Sequence, residues 1–328
     1  MNDNKTSRRT FFKQSALQTA VFSIVPSTVL AQSGQTAPSD KLNIAAIGVG
    51  GRGGDDLRSC DSENIVALCD VDAEQLARQK RRYEKAKTFA DYRDMLDAVE
   101  NEIDAVTIGI PDHSHAIAAI NVLKRKKHLY CEKPLCHSIY ETRMVTQAAK
   151  EAGVITQMGN QGHSSDEIRM LREWIADGVV GPIREIHAWS DRPVGGDPWS
   201  DFLVKARPTD TPPVPESLNW DLWLGPAPYR PYHPEYCPLT WRSWVDFGTG
   251  AIGDMGCHIM DPAFWALDLG HPEYVEATTS HCKPEEEAET YPRASIVRYQ
   301  FAARGPWPAV KLTWYDGRLK PPLPGDYL

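Results

Sequence analysis

The sequence predicts an α/β protein of two domains: a parallel sheet wrapped by helices, then an α+β domain built on an open, mostly antiparallel sheet. Three observations carry that prediction. Short β-branched runs alternate with helical stretches over residues 42–157, a glycine-rich turn follows the first run, and past Gly159 the texture changes. Residues 42–47 form the first strand, and the glycine loop opens a helix through Cys60. Residues 65–69 are the next strand, ending at Asp70, and 73–87 have helical composition. Residues 105–110 are a strand stopped by Pro111, followed by a helix over about 115–124. Residues 128–131 are extended, 139–151 helical, and 154–157 close the sheet. A helix near 167–177 and a strand at 183–189 then precede a long Pro/Trp/Tyr-rich passage from Arg192 to about Arg242. Later strands fall at 274–280, 294–301 and 309–314. The domain limits on this reading are 41–160 and 161–328.

The chain is 328 residues long with a net charge of -8, and its Lys/Arg clusters are short. A nucleic-acid partner is therefore not expected, because neutralising phosphates needs a basic surface. In front of the fold stands Ser7-Arg8-Arg9-Thr10-Phe11-Phe12-Lys13, then an apolar stretch over 16–30 and a small-residue site ending at Ala31. That order reads as a twin-arginine export signal over 1–31, cleaved after Ala31, with 32–40 as a linker. The apolar stretch falls short of the roughly 20 residues a membrane span requires, so no stable membrane insertion is expected. The implied partner is the twin-arginine machinery, and the implied location is the periplasm or another exported compartment. Seven cysteines, an odd number without framework spacing, read as buried thiols with a late pair still open.

Gly48-Val49-Gly50-Gly51-Arg52-Gly53 follows a strand and starts a helix, the context that turns a common glycine pattern into a dinucleotide fingerprint. Gly48 permits the tight turn, Gly50 lets the backbone approach a pyrophosphate, and Gly53 lets helix and strand pack closely. Arg52 is a candidate phosphate partner. Asp70, 22 residues after Gly48, is placed to accept hydrogen bonds from ribose hydroxyls and to repel a 2'-phosphate, favouring NAD over NADP. Because free NAD is scarce outside the cytoplasm, an exported protein of this kind is expected to hold its cofactor tightly. At the end of a later strand lies Glu132-Lys133-Pro134, where an ammonium on Lys133 can stabilise developing alkoxide character. In Gly250 to Asp261, a helix sets Asp254 and His258 one turn apart, so that a carboxylate can orient an imidazole acting as general base. Asp254, Cys257 and His258 lack a fourth ligand, and no metal site is expected.

These residues, together with Pro111-Asp112-His113-Ser114-His115, resemble the Gfo/Idh/MocA family of sugar and polyol oxidoreductases from about Leu42 onward. The resemblance implies a Rossmann domain, then a domain whose large open sheet serves oligomerisation, with cofactor and substrate meeting between them. It implies that Lys133, Asp254 and His258 are the catalytic set and that Pro111, His115 and Glu132 line the cofactor site. Asn160 and Gln161 are implied near the nicotinamide. Exported relatives with a passage like Trp241-Arg242-Ser243-Trp244 usually continue beyond the proline-rich ending seen here, so a truncated chain is expected. All ten tryptophans follow residue 170, and rings such as Trp199, Trp220, Trp223, Trp241 and Trp244 suit the C–H faces of sugars, although tryptophans serve cores more often than ligands. Trp241 and Arg242 are the substrate candidates, with a structural salt bridge as the other role open to Arg242.

Two activities satisfy these features. One is an exported NAD-dependent oxidoreductase acting on a sugar, glycoside or polyol hydroxyl. The other is an NAD-using glycoside hydrolase that oxidises its substrate transiently with no net redox. Lys133 favours the first, and Lys133 with His258 argues against a noncatalytic sugar-binding protein.

Overall fold

The computed structural model describes residues 40–195, 207–280 and 289–323. The export segment, Trp199, Cys282 and the last five residues lie outside the described residues.

Six strands form the first sheet: β1 Asn43–Ile47, β2 Asn64–Cys69, β3 Lys87–Phe89, β4 Ala105–Ile108, β5 His128–Glu132 and β6 Thr156–Gly159. They are all parallel and run in the order β3-β2-β1-β4-β5-β6. The order reverses between β1 and β4, which opens a crevice at the carboxyl ends of those strands. Helices α1 Gly51–Ser59, α2 Ala73–Lys80, α3 Tyr92–Val99, α4 Asp112–Lys124 and α5 Ile139–Ala152 connect the strands. Ala45, Ala46 and Ala67 are wholly buried, and such small side chains let helices close on both faces of the sheet. Local signals agree with the borders. Asp72 caps α2 by accepting from Glu74 N, and Ser138 with Glu141 forms a capping box on α5.

The second part contains α6 Asp166–Ala176, β7 Glu185–Trp189, α7 Trp220–Leu224, α8 Gly250–Ile259, α9 Asp261–Ala266, β8 Tyr274–Thr279, β9 Ser295–Phe301 and β10 Val310–Tyr315. Its sheet runs β7-β10-β9-β8, antiparallel except for the β7–β10 pair. Phe301, Val310 and Leu312 on this sheet bury against Ile175 and Leu267 of the helical layer.

Three elements depart from the sequence expectation. The helix expected over 73–87 stops at Lys80, and its end becomes the edge strand β3. Three residues including a lysine and a threonine are too short to show alternation. Helix α3 buries Met95, Leu96 and Val99, and α7 has only five residues. The Trp/Tyr-rich passage is itself a core: Trp220, Trp223, Trp241 and Trp244 pack with Tyr236 and Phe247, the first two stacked at 4.8 Å. Trp241, the substrate candidate, is buried in this core. Burying an aromatic ring this large stabilises the fold by about 2–3 kcal/mol, reason enough for these rings to pack against one another. The six cysteines among the described residues are free thiols, with Cys69, Cys131 and Cys136 buried. Among those residues no helix is long and apolar enough to cross a membrane.

Candidate active site

The glycine loop sits where β1 hands over to α1. Gly48 has φ +78°, and a Cβ there would lie 2.4 Å from Gly109 O. A Cβ on Gly53 would lie 2.1 Å from Gly48 O, after β1, and 3.0 Å from Gly109 O, after β4, so α1 touches both strand ends backbone to backbone. Gly109 completes this contact and escaped sequence reading, because it stands alone after a strand. Helix α1 begins without a side-chain cap, which leaves its first N–H groups to an external acceptor. At Gly51 a Cβ would meet no described atom within 4 Å, so the loop faces open space. This cradle fits a dinucleotide pyrophosphate.

Asp70 follows β2. Its Oδ2 accepts from Val49 N at 2.9 Å and Gly50 N at 3.2 Å, and its Oδ1 accepts from Asp72 N at 3.0 Å. Burial raises its pKa, and the three backbone donors work against that rise. The carboxylate thus braces the glycine loop while keeping acceptor capacity for a hydroxyl beside it.

Glu132 and Lys133 end β5 and point to different clusters. Glu132 Oε1 receives Arg52 Nε at 3.2 Å, Tyr130 Oη at 3.4 Å and Gln161 Nε2. Arg52 also pairs with Asp56 at 2.9 Å. Burial, reinforced by the Glu132 charge and opposed by Arg52, holds the Asp56 carboxyl up at about 7. Arg52 thus pairs with Glu132 on β5 and with Asp56 on its own helix while its side chain stays half-exposed.

Lys133 Nζ reaches Asp254 of α8, donating to its carbonyl at 2.6 Å and to Oδ1 at 2.9 Å. An ammonium has three donors, so one remains. Asp254 also accepts from Arg192 and lies 3.5 Å from Arg242 Nε. Burial by itself would raise the Asp254 pKa, yet Lys133, Arg242 and Arg192 bring it down to about 2. His258 lies one turn along α8, half-buried and without a hydrogen-bond partner among the described residues. The expectation that Asp254 orients its ring is corrected, since the carboxylate is taken up by three cations. Burial, helped by the Lys133 charge, lowers the His258 pKa against the pull of Asp254 and Glu132.

The stretch from Pro111 to His115 caps and opens α4 and serves mainly as a brace. His115 is buried, with Nδ1 2.8 Å from Pro134 O and Nε2 2.7 Å from Ile110 O. Burial lowers its pKa, so the ring is neutral, donates to one of these carbonyls and rests against the other between the two loops. Pro111 stays half-buried at the start of α4, beside the crevice. Asp112 is fully buried, accepts from Thr249 Oγ1 at 2.7 Å, and is pushed by burial up to about 7. Burial holds His113 down at about 4 between Trp223 O and Phe247 O. Asn160, after β6, is buried, and its Oδ1 has no partner among the described residues. An orphaned amide oxygen at the carboxyl end of the sheet fits a ligand donor. Arg242 stacks at 4.3 Å on buried Trp241 and so contributes charge to Asp254 from an aromatic platform. Arg192, 62 residues before Asp254, gave no sequence signal, for it opens an irregular passage with no period to place it.

A family model described as "Oxidoreductase family, NAD-binding Rossmann fold" matches residues 42–160, and its companion C-terminal alpha/beta domain matches 165–303. Levoglucosan dehydrogenase of Pseudarthrobacter phenanthrenivorans is 23% identical over 219 residues, 66% of this chain and 46% of that one. Myo-inositol 2-dehydrogenase of Thermotoga maritima is 26% identical over 43% of this chain and 42% of its own length. A 2,7-anhydro-N-acetylneuraminate hydratase of Escherichia coli is 28% identical over 44% of this chain and 39% of its own length. The match thus spans less than half of each relative. A solved levoglucosan dehydrogenase in complex with NADH and levoglucosan superposes with a TM-score of 0.59 at 20% identity, covering 83% of this chain and 66% of that one, which shows a shared fold. With both of its domains matched in order, the chain belongs to the Gfo/Idh/MocA oxidoreductase family.

Proposed function

We propose that this protein is an exported NAD-dependent oxidoreductase acting on a sugar, glycoside or polyol hydroxyl, with its cofactor tightly bound. The observation that carries the reading is the meeting of Lys133, at the carboxyl end of β5, with Asp254 of α8, the helix that carries His258 one turn further on. Bound NAD supplies the hydride acceptor. Asp254, kept ionised, fixes the Lys133 ammonium, whose third N–H is directed to a substrate oxygen and stabilises charge developing there. His258 stays neutral at physiological pH because its pKa is lowered, and it takes the hydroxyl proton. The twin-arginine sequence supports loading before export, because the folded chain crosses with whatever it has bound.

A second reading is the redox-assisted glycoside hydrolase, and the one point on its side is that a matched relative is named for a reaction without net redox, a hydration. One experiment separates the two. The mature protein is purified without added cofactor, released NAD(H) is measured after denaturation, and intact protein is given a panel of sugars and p-nitrophenyl glycosides. Stoichiometric NAD with 340 nm absorbance growing on a free sugar supports the oxidoreductase. Nitrophenol release without net NADH supports the hydrolase, and absence of bound nucleotide defeats the tight-cofactor reading.

A further inference from the structure

Beyond Asp70, toward β3, lies a cavity of about 450 Å³ at the carboxyl end of the sheet, within the size range of ligand sites. Asp70, Leu76 and Ala90 form its floor; Val214, Glu216 and Leu218, from the segment after the first domain, form its wall. That segment is fastened to the turn behind Asp70. Ala73 N donates to Ser217 O at 2.8 Å, Asn219 N donates to Val71 O at 2.9 Å, and Leu218 bridges Asp72. Its far end is anchored by Trp220, which is buried and donates Nε1 to Arg230 O at 2.8 Å, while Leu218 and Val71 pack on the aromatic core.

We propose that residues 214–220 are the second wall of the adenosine site and that Glu216 excludes a 2'-phosphate there. The inference rests on NAD as the cofactor in the reading above. The glycine loop takes the pyrophosphate and Asp70 a ribose hydroxyl, so the nucleotide's base extends past β2 toward β3, into this cavity. Its apolar floor and wall suit a flat base. None of the lining residues is basic, whereas accommodation of a 2'-phosphate calls for a cation. Glu216 adds a second carboxylate to that of Asp70, and two anions facing one phosphate repel it. Discrimination is thereby shared between the two domains of the chain.

The test compares binding of 5'-AMP and 2',5'-ADP to the full chain by titration calorimetry, which needs no turnover. The wild-type protein is expected to prefer AMP by about tenfold or more, with Glu216→Gln narrowing the ratio about threefold and Glu216→Lys about tenfold. Glu216 is exposed, so both variants should fold, with melting temperatures as the check. An AMP preference that Glu216→Lys leaves unchanged overturns the inference even if sugars are oxidised. Failure of both nucleotides to bind overturns it too. A ratio that shifts as expected upholds it even where no sugar is turned over, in which case the activity reading alone falls.

Discussion

Glu132 and Lys133 are neighbours in sequence, yet they serve two clusters of opposite balance. On one side, Asp56 and Glu132 share a single cation, Arg52, and the Asp56 carboxyl is held up at about 7. On the other, Asp254 alone meets Lys133, Arg192 and Arg242 and is brought down to about 2. Both aspartates are buried, so burial does not distinguish them. The number of cations around each carboxyl decides which way its proton equilibrium moves. The cation-rich cluster keeps a fixed charge beside a reacting centre, while the acid-rich one ties α1 to the strand end.

The hardest blow to this contrast is Asp254→Asn, which strips the carboxylate from three cations. Turnover should vanish, and the fold should lose about 3–5 kcal/mol, because a buried pair broken on one side leaves uncompensated charge; an unchanged denaturation midpoint would contradict it. Next, His258→Ala should lower kcat by about 10²–10⁴ with nucleotide still bound, and Lys133→Ala should do likewise. Steady-state kinetics beside a nucleotide titration checks both, and full activity in either variant removes that residue from the chemistry. In the wild type, the acid limb of the pH–rate profile should fall below the ordinary histidine pKa, since burial depresses that of His258.

Smaller effects sharpen the comparison through pH. Asp254 has a folded pKa of about 2 against an unfolded value near 3.8, so its stabilisation is full above that unfolded value and is lost as pH falls toward 2. Asp112 and Asp56, at about 7, behave oppositely. Between pH 4 and 7 the folded chain keeps protons that the unfolded chain has released, so these groups lose stability as pH rises. Asp112→Asn, which keeps an oxygen for Thr249, should therefore gain on the wild type in melting temperature at pH 8 more than at pH 5. An equal difference at both pH values would refute the raised Asp112 pKa.

Much of the first domain was legible in the residue pattern, because buried parallel strands write themselves as β-branched runs and the glycine loop has few alternatives. Lys133, Asp254 and His258 were found from motif and helical spacing, and the structure brings Lys133 and Asp254 into contact. What spacing does not encode is which partner wins. Nothing about Asp254 and His258 four residues apart reveals that Arg192 and Arg242 arrive from an irregular passage to take the carboxylate. Spacing likewise does not reveal the protein partners of Arg52 and His115, since a side chain suited to a ligand also suits the nearest protein acceptor. For the tryptophans a core and a sugar-binding role both stood open, because composition does not tell a core from a binding surface, and four of them form a core.

His115 has a mechanical consequence. Its ring is a rigid spacer between Ile110 O, after β4, and Pro134 O, beside Lys133. A neutral imidazole has one N–H, so it bonds one of these carbonyls and rests against the other, and a change of side-chain size at this position would shift the loop that carries Lys133 against the end of β4.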